Sequence, residues 1–205
     1  MANWCTNDVI FHGEKTNILA MWGLIKQAFS EEFKEIIRTK FEDADSSWCG
    51  YLAFMFGASV DGASLEKGQL IEDPSSDSIS CRGFFQGDPE LSLDNGSIRF
   101  FVESAWAPLA DLWQLMAEQC EVDVDYVAEE PGCGIYINTD VSGQYFSDRY
   151  ILFDENTGCD YFANEKHFLE AFNELTGQDS HSFAEAKKIS KAIDDIAVFE
   201  FSTTY

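Results

Sequence analysis

The chain has 205 residues, of which 45% are hydrophobic and 15% aromatic, and this composition excludes an intrinsically disordered protein. It carries 37 acidic and 13 basic residues, and the resulting net charge of −24 argues against direct binding to nucleic acid or to anionic membranes. The charge is concentrated in residues 41–148, where 21 acidic residues accompany only three basic ones, Lys67, Arg82 and Arg99.

The first third of the chain predicts a strand followed by helices. Trp4 to His12 contains an apolar run that predicts a strand ending before Gly13. Two groups of apolar residues with helical spacing follow, and Ser30, with acidic residues behind it, predicts the N-cap of the second helix. The aromatic segment from Glu42 to Gly57 is compatible with a short buried helix or with a strand. Asp73 to Ser78 predicts a loop.

The middle of the chain predicts strand, helix, strand, turn and strand. Ile79 to Phe85 and Ser97 to Glu103 are expected strands, the second preceded by an Asn95-Gly96 hairpin turn. After Pro108, apolar residues with helical spacing predict a helix with one buried face; they are Leu109, Leu112, Trp113 and Met116. Glu121 to Val127 alternates between polar and apolar residues, which predicts a half-buried strand. Cys133 to Ile137 predicts the next one.

The last part of the chain predicts two strands, two helices and a final strand. Arg149 to Phe153 is an expected strand that turns back at Asn156-Thr157-Gly158. Asn164 and Ser182 are expected N-caps of the two helices. The first helix is expected to end at Gly177 and to direct four apolar residues inward, namely Phe168, Leu169, Phe172 and Leu175. Val198 to Phe201 predicts the last strand.

This order of elements predicts an α+β fold with helices on one face of a mainly antiparallel sheet. The first part can be arranged as a ferredoxin-like split β-α-β core. We expect an acidic core domain over residues 1–148. We also expect a C-terminal β-α-α-β extension over residues 149–205, packed on the same core.

Six scattered cysteines and the absence of a signal-peptide pattern favour free thiols in a reducing cytosol. No apolar run approaches the roughly 20 residues that cross a bilayer. The expected protein is therefore cytoplasmic, without contact with a membrane.

No recognised catalytic or cofactor motif is present. Cysteines and histidines lack the close spacing of zinc or iron–sulfur ligands, so no metal and no cofactor are expected. Asp154 to Asp160 has oxygen-bearing residues at alternate positions but lacks the glutamate that completes a calcium loop, so a plain hairpin turn is favoured. Cys5 is expected to be a small core residue rather than a nucleophile. Trp4 and Trp106 are expected to be core anchors rather than ligand platforms.

Three short motifs resemble a known family. They are Asn3-Trp4-Cys5-Thr6-Asn7, Glu103-Ser104-Ala105-Trp106-Ala107-Pro108, and Glu129-Glu130-Pro131-Gly132-Cys133-Gly134. Together they are similar to the YubB-like proteins of plasmids and phages, which have a ferredoxin-like domain. The resemblance covers roughly residues 1–140, although the central Trp-Gly-Thr-Lys-Trp-Asp-type segment of that family is missing. It implies a mobile-element protein with a ferredoxin-like fold, and it implies no activity.

The acidic surface and the resemblance together suggest a non-enzymatic interaction protein. Its partner would be a basic, nucleic-acid-binding host protein. It would act either as an anti-defence DNA mimic that inhibits a nuclease or CRISPR-type effector, or as a modulator of a replication protein. The expected contact residues are the acidic ones around the alternating strand: Glu121, Asp123, Asp125, Glu129 and Glu130. Two alternatives stay open, a metal-dependent carboxylate enzyme and an accessory protein whose acidity only maintains solubility.

Overall fold

The computed structural model describes residues 3–73 and 78–204, and within these ranges the chain has a mixed α+β fold with antiparallel strand pairs. The chain divides into two compact units, Met1–Ile135 and Tyr136–Tyr205. The first unit ends 13 residues before the domain boundary expected from the sequence. Residues 74–77, which make up most of the expected loop from Asp73 to Ser78, lie outside the described residues.

The first unit contains most of the elements. Its helices are α1 (Lys15–Ala28), α2 (Glu31–Arg38), α3 (Gly50–Met55) and α4 (Ala110–Cys120). Its strands are β1 (Trp4–His12), β2 (Ala63–Glu66), β3 (Gln69–Glu72), β4 (Gly83–Phe85), β5 (Glu90–Ser92), β6 (Ser97–Ala105) and β7 (Asp123–Glu130).

Strand β1 lies at the centre of the main sheet of this unit. It pairs along its whole length with β6, from Trp4 opposite Ala105 to His12 opposite Ser97. On its other side it pairs with β7, and β4 pairs with the outer side of β6, which gives the order β4-β6-β1-β7. Strand β5 also pairs with β6, while β2 and β3 form a separate hairpin.

Strand alternation separates a helix-covered face of this sheet from an open face. Val9 and Phe11 of β1 are completely buried, and the Phe11 ring lies 5.5 Å from that of Phe100 on β6. The Phe100 ring in turn lies 5.5 Å from that of Trp113 on α4. Helix α1 adds further buried residues to the same layer, among them Ile18, Met21 and Ile25. Aromatic and branched side chains therefore form the core between the sheet and the helices.

The second unit has its own sheet and core. Its elements are β8 (Ile135–Asn138, whose first residue closes the first unit), β9 (Tyr150–Asp154), β10 (Gly158–Phe162), α5 (Glu165–Thr176), α6 (Phe183–Ser190) and β11 (Ile196–Glu200). Three of its strands form a sheet of their own in the order β10-β9-β11. An apolar cluster lies between this sheet and the two helices, consisting of Leu152, Phe168, Phe172, Phe183, Ala186 and Val198.

The predicted helix ends in both units are confirmed. The Ser30 hydroxyl accepts a hydrogen bond from Phe33 N at 3.3 Å, and Asn164 Oδ1 accepts one from His167 N at 3.0 Å. Ser182 caps α6 in the same way, and Gly177 ends α5 with a left-handed φ of 66°. These caps are local interactions between neighbouring residues, which is why the sequence identifies them.

The strand expected over Ile79 to Phe85 is wrong in its extent, because only Gly83–Phe85 forms a strand. Of the two alternatives for the segment between Glu42 and Gly57, the structure has the short helix, α3. The β2–β3 hairpin was not expected, because its turn at Lys67-Gly68 joins two short strands without a marked apolar pattern. Leu175 is 44% exposed rather than inward-facing, because it lies in the last turn of α5 beyond the core cluster.

Among the helices of the described residues, none has the length and apolar character that a bilayer-spanning helix requires.

Candidate functional site

Three of the expected contact residues lie around one depression in the first unit. Glu121, Asp123 and Asp125 line a pocket of about 390 Å³ together with Glu118 of α4 and His12 of β1. No lysine or arginine of the described residues contributes to its lining. Glu121 and Asp123 are exposed, and so is Glu118. We call the exposed trio of Glu118, Glu121 and Asp123 the acidic pocket rim.

The rim combines residues from a helix end and a strand start. The strand expected from Glu121 to Val127 is displaced, because β7 begins only at Asp123 and Glu121 is the C-cap of α4. Glu121 has a left-handed φ of 53°, and its carbonyl accepts a hydrogen bond from Asn17 Nδ2 at 3.1 Å. Its backbone therefore reverses the chain between helix and strand. Gln114, Glu118 and Glu121 are spaced four and three residues apart, which places them on one face of a helix. This spacing is the sequence signal that associates Glu118 with the predicted site.

Asp125 is held within the fold. Its Oδ2 atom lies 2.9 Å from His12 Nε2, and both side chains are 21% exposed. In the register of the two strands His12 lies opposite Asp123, so the hydrogen bond between His12 and Asp125 runs diagonally across neighbouring strands. Asp125 thus belongs to the pocket wall, whereas the rim residues face solvent.

The arginine of the open sheet face is neutralised internally. Arg99 Nε donates to Asp8 Oδ1 at 2.7 Å, and the Arg99 Nη2 group donates to Asp8 Oδ2. The hydrogen bond to Asp8 is the largest of the effects that raise the pKa of Arg99 above its ordinary value. The guanidinium also lies 5.3 Å from the centre of the Phe101 ring.

The side chains of Glu129 and Glu130 lie on opposite faces of the sheet, because successive residues of a strand alternate between its two faces. Glu129 is half-buried and lies opposite Thr6 of β1. Glu130 is only 4% exposed, and its carboxylate accepts hydrogen bonds from the backbone N–H groups of Gly132 and Cys133. Hydrogen bonding, chiefly with Cys133, lowers the pKa of Glu130. Glu130 therefore stabilises its own turn, and its buried carboxylate is not part of the exposed acidic surface.

Exposed aromatic residues were not expected here. Trp4 and Trp106 are 43% and 47% exposed, so their assignment as core anchors is wrong. Trp4 points to the open face because its neighbour Cys5 faces the core, and Trp106 follows β6 with a left-handed φ of 72°. Phe101, on the open face of β6, is 45% exposed. The Trp4 ring lies 6.0 Å from that of Phe84 in an edge-to-face arrangement.

The three short motifs meet in the first unit. Trp106 N donates to the Asn3 carbonyl at 2.8 Å, which joins the first motif to the second. Asn7 Nδ2 donates to Ser104 Oγ at 2.9 Å within the core. The Asn3 side chain is also hydrogen-bonded to the Glu130 carboxylate of the third motif. The polar side chains of Asn3, Asn7 and Ser104 thus have hydrogen-bond partners within the fold.

Cys5 follows this pattern. The residue is fully buried, as expected of a small core residue. Burial raises the pKa of Cys5 to about 12, and the negative charge of Glu130 adds to this effect. A thiol with so high a pKa contains almost no thiolate at neutral pH.

The residues of the calcium-like segment form the favoured hairpin. Strands β9 and β10 pair with Gly158 opposite Asp154, and the Asp154 carboxylate accepts hydrogen bonds from Asn156 N at 2.9 Å and Thr157 Oγ1 at 3.1 Å. These bonds, first among them that from the Asn156 backbone, lower the pKa of Asp154. Within the part of the chain that the structure describes, no three His, Cys, Asp or Glu side chains are arranged to hold a metal ion.

Comparison of the chain with protein-family models, with curated proteins and with solved structures finds no match. The similarity to the YubB-like proteins therefore stays a prediction from the three motifs.

Proposed function

We propose that this chain is a non-enzymatic interaction protein whose acidic pocket rim binds a basic, nucleic-acid-binding protein. The observation that carries this proposal is the concave arrangement of Glu118, Glu121 and Asp123, with no lysine or arginine among the described residues around the pocket. Like charges held close together are unfavourable for the fold. A cationic side chain of a partner would relieve this repulsion.

The aromatic residues on the open sheet face support a protein partner. Trp4, Phe101 and Trp106 are each more than two-fifths exposed. Tryptophan and arginine are enriched in interface hot spots, and an arginine of the partner would gain from contact with an indole face as well as with carboxylates. Acidity that served solubility alone would not require exposed aromatic side chains.

The role proposed for the interaction is that of an acidic DNA mimic encoded by a phage or plasmid, directed against a host defence protein. The motif resemblance supports the mobile-element origin. The strand order β4-β6-β1-β7 supports a ferredoxin-like core. Helices lie in the connection from β1 to β4 and in the connection from β6 to β7, as in a split β-α-β fold. Long-range attraction between opposite charges would speed association with the partner.

A charge-reversal pull-down tests this function. The bait variants are the wild type, a rim variant with Glu118→Lys, Glu121→Lys and Asp123→Lys, and a matched control with the exposed residues Glu155→Lys, Asp160→Lys and Glu174→Lys. Both triple variants change the net charge equally. Bacterial lysate is applied at low salt and at about 0.5 M salt, where the Debye length falls to about 4 Å.

We expect the wild type and the control to retain a basic protein in stoichiometric amount at low salt. The rim variant should lose it, and about 0.5 M salt or added duplex DNA should release it from the wild type. Equal retention by the rim variant and the control would refute the assignment of the rim. Failure of all three baits to retain a basic protein would leave solubility as the role of the acidity.

A further inference from the structure

A second pocket in the first unit is lined by aromatic and basic side chains, in contrast to the acidic pocket rim. It has a volume of about 580 Å³, which lies in the range of small-molecule sites. Three aromatic side chains line it, Trp22 and Phe29 beside Phe85. The Phe29 and Phe85 rings meet edge to face with their centres 5.0 Å apart.

Two lysines, Lys26 of α1 and Lys34 of α2, line the same pocket. Asp88 is the one carboxylate in its lining, so the lining carries a net positive charge in a chain whose net charge is −24. Lys26 is exposed, but Lys34 is only 7% exposed. Lys34 is the sole buried cationic residue in the described ranges.

The Lys34 ammonium reaches the pocket from a side chain that is otherwise covered by the fold. An ammonium has three N–H donors, which can bind water or an anionic ligand in the pocket. Its nearest carboxylate oxygen is Oε1 of Glu31 at 3.5 Å, and the Glu31 side chain is 75% exposed. The ammonium also lies 5.6 Å from the centre of the Phe29 ring and 5.8 Å from that of Tyr51. None of these contacts replaces a short hydrogen bond.

We propose that this pocket binds a small aromatic anion. The acidic group of the ligand, a carboxylate, sulfonate or phosphate, accepts hydrogen bonds from Lys34, with Lys26 at the pocket mouth. The planar ring of the ligand packs against Trp22 and Phe29. Charge complementarity selects this ligand class, because the rest of the protein surface repels anions. The site is separate from the acidic pocket rim and its function.

The test uses two dyes that share a ring system. One is 8-anilinonaphthalene-1-sulfonate, which is an anion, and the other is its neutral counterpart N-phenyl-1-naphthylamine. Binding of each is measured by fluorescence titration to wild type, Lys34→Met, the charge-matched control Lys15→Met, and Trp22→Leu. Lys15 is exposed and does not line the pocket. Methionine keeps the apolar stem of Lys34, and circular dichroism checks that each variant folds.

Lys34→Met should weaken binding of the anionic dye at least about tenfold and leave the neutral dye within about twofold. Lys15→Met should change neither dye, and Trp22→Leu should weaken both. Added salt should not weaken anion binding, because it screens the repulsion from the acidic surface. Equal binding of the anionic dye by Lys34→Met and Lys15→Met, or equal responses of both dyes to Lys34→Met, would overturn the proposal.

Discussion

The Asn7 side-chain amide donates a hydrogen bond to the Ser104 hydroxyl at 2.9 Å and thereby links strands β1 and β6 inside the core. The same amide donates to the carbonyls of Cys5 at 2.8 Å and Val102 at 3.2 Å. Ser104 Oγ in turn donates to the Ala107 carbonyl at 2.6 Å, at the bend after β6. A buried asparagine and serine therefore organise the start of the sheet from which Trp4 and Trp106 are exposed.

The first prediction concerns this network. Asn7→Ala should lower the free energy of unfolding by about 2–3 kcal/mol, because it leaves buried carbonyl groups and a hydroxyl without donors. Thr6→Ala, on the solvent-facing side of the same strand, should cost less than about 1 kcal/mol. Urea unfolding followed by circular dichroism measures both. Similar losses for the two variants would show that the network contributes no more than an exposed side chain.

The second prediction concerns Asp140 in the second unit. Burial by itself would raise its pKa, but hydrogen bonds from the Ser142 hydroxyl and from the backbone of Phe146, Tyr145 and Gly143 lower the pKa well below its usual range. Since the folded-state pKa is below the unfolded value of about 3.9, its contribution to stability is complete above that value. The contribution is lost as the pH falls towards the folded-state pKa.

Asp140→Asn should therefore lower the free energy of unfolding at pH 7 by about 2–4 kcal/mol, because a neutral amide replaces a carboxylate that accepts hydrogen bonds from four donors. The loss should diminish as the pH is lowered from about 5 towards 2. The exposed Asp160→Asn is the control and should have little effect at any pH. Urea unfolding at several pH values provides the measurement. A pH-independent difference between wild type and Asp140→Asn would show that the charge of Asp140 does not contribute.

The third prediction concerns thiol reactivity. Cys133 and Cys159 are exposed, whereas Cys5, Cys49 and Cys81 are buried. The exposed pair should be alkylated by iodoacetamide in the native protein, and the buried three only after unfolding. Peptide mass spectrometry gives the rate for each cysteine. Native labelling of the buried thiols at the rate of the exposed ones would show that Cys5, Cys49 and Cys81 are accessible to solvent.

Glu130→Gln provides a fourth prediction from the same measurement. Hydrogen bonding to Glu130 raises the pKa of Cys133, so loss of this negative charge should lower that pKa and increase the thiolate fraction. We expect alkylation of Cys133 to become at least about twofold faster at pH 7.5. Cys159 in the same sample is the internal control and should keep its rate. An unchanged or slower rate for Cys133 would rule out this electrostatic coupling.

The fifth prediction concerns the exposed aromatic residues. Once a partner has been captured, Trp4→Ala and Trp106→Ala should each weaken binding at least about tenfold, the range of an interface hot spot. Leu175→Ala, a similarly exposed apolar residue on α5, is the control and should not alter affinity. Isothermal titration calorimetry measures each variant. If Trp4→Ala, Trp106→Ala and Leu175→Ala all bind with equal affinity, the two tryptophans are not part of the interface. The acidic pocket rim is tested independently by its charge-reversal variant.

The candidate site could be predicted only in part. The local acidic pattern identified Glu121, Asp123 and Asp125, which the structure places around one pocket. It also selected Glu130, because neither strand alternation nor charge reveals that a carboxylate bonds to its own turn. The pocket around Lys34 had no local signal at all. Its wall joins the consecutive helices α1 and α2 to the loop before β5, which lies far from them along the chain.

The sequence by itself determined the features that depend on near neighbours: strand β1, the caps Ser30, Asn164 and Ser182, and the buried stripe of α4. Capping bonds and helical periodicity link residues only a few positions apart, so the sequence carries them directly. Tertiary structure alone decided which face of the sheet the helices cover. That choice exposed Trp4 and Trp106, paired Arg99 with Asp8, and covered most of the Lys34 side chain, because burial depends on contacts between distant segments.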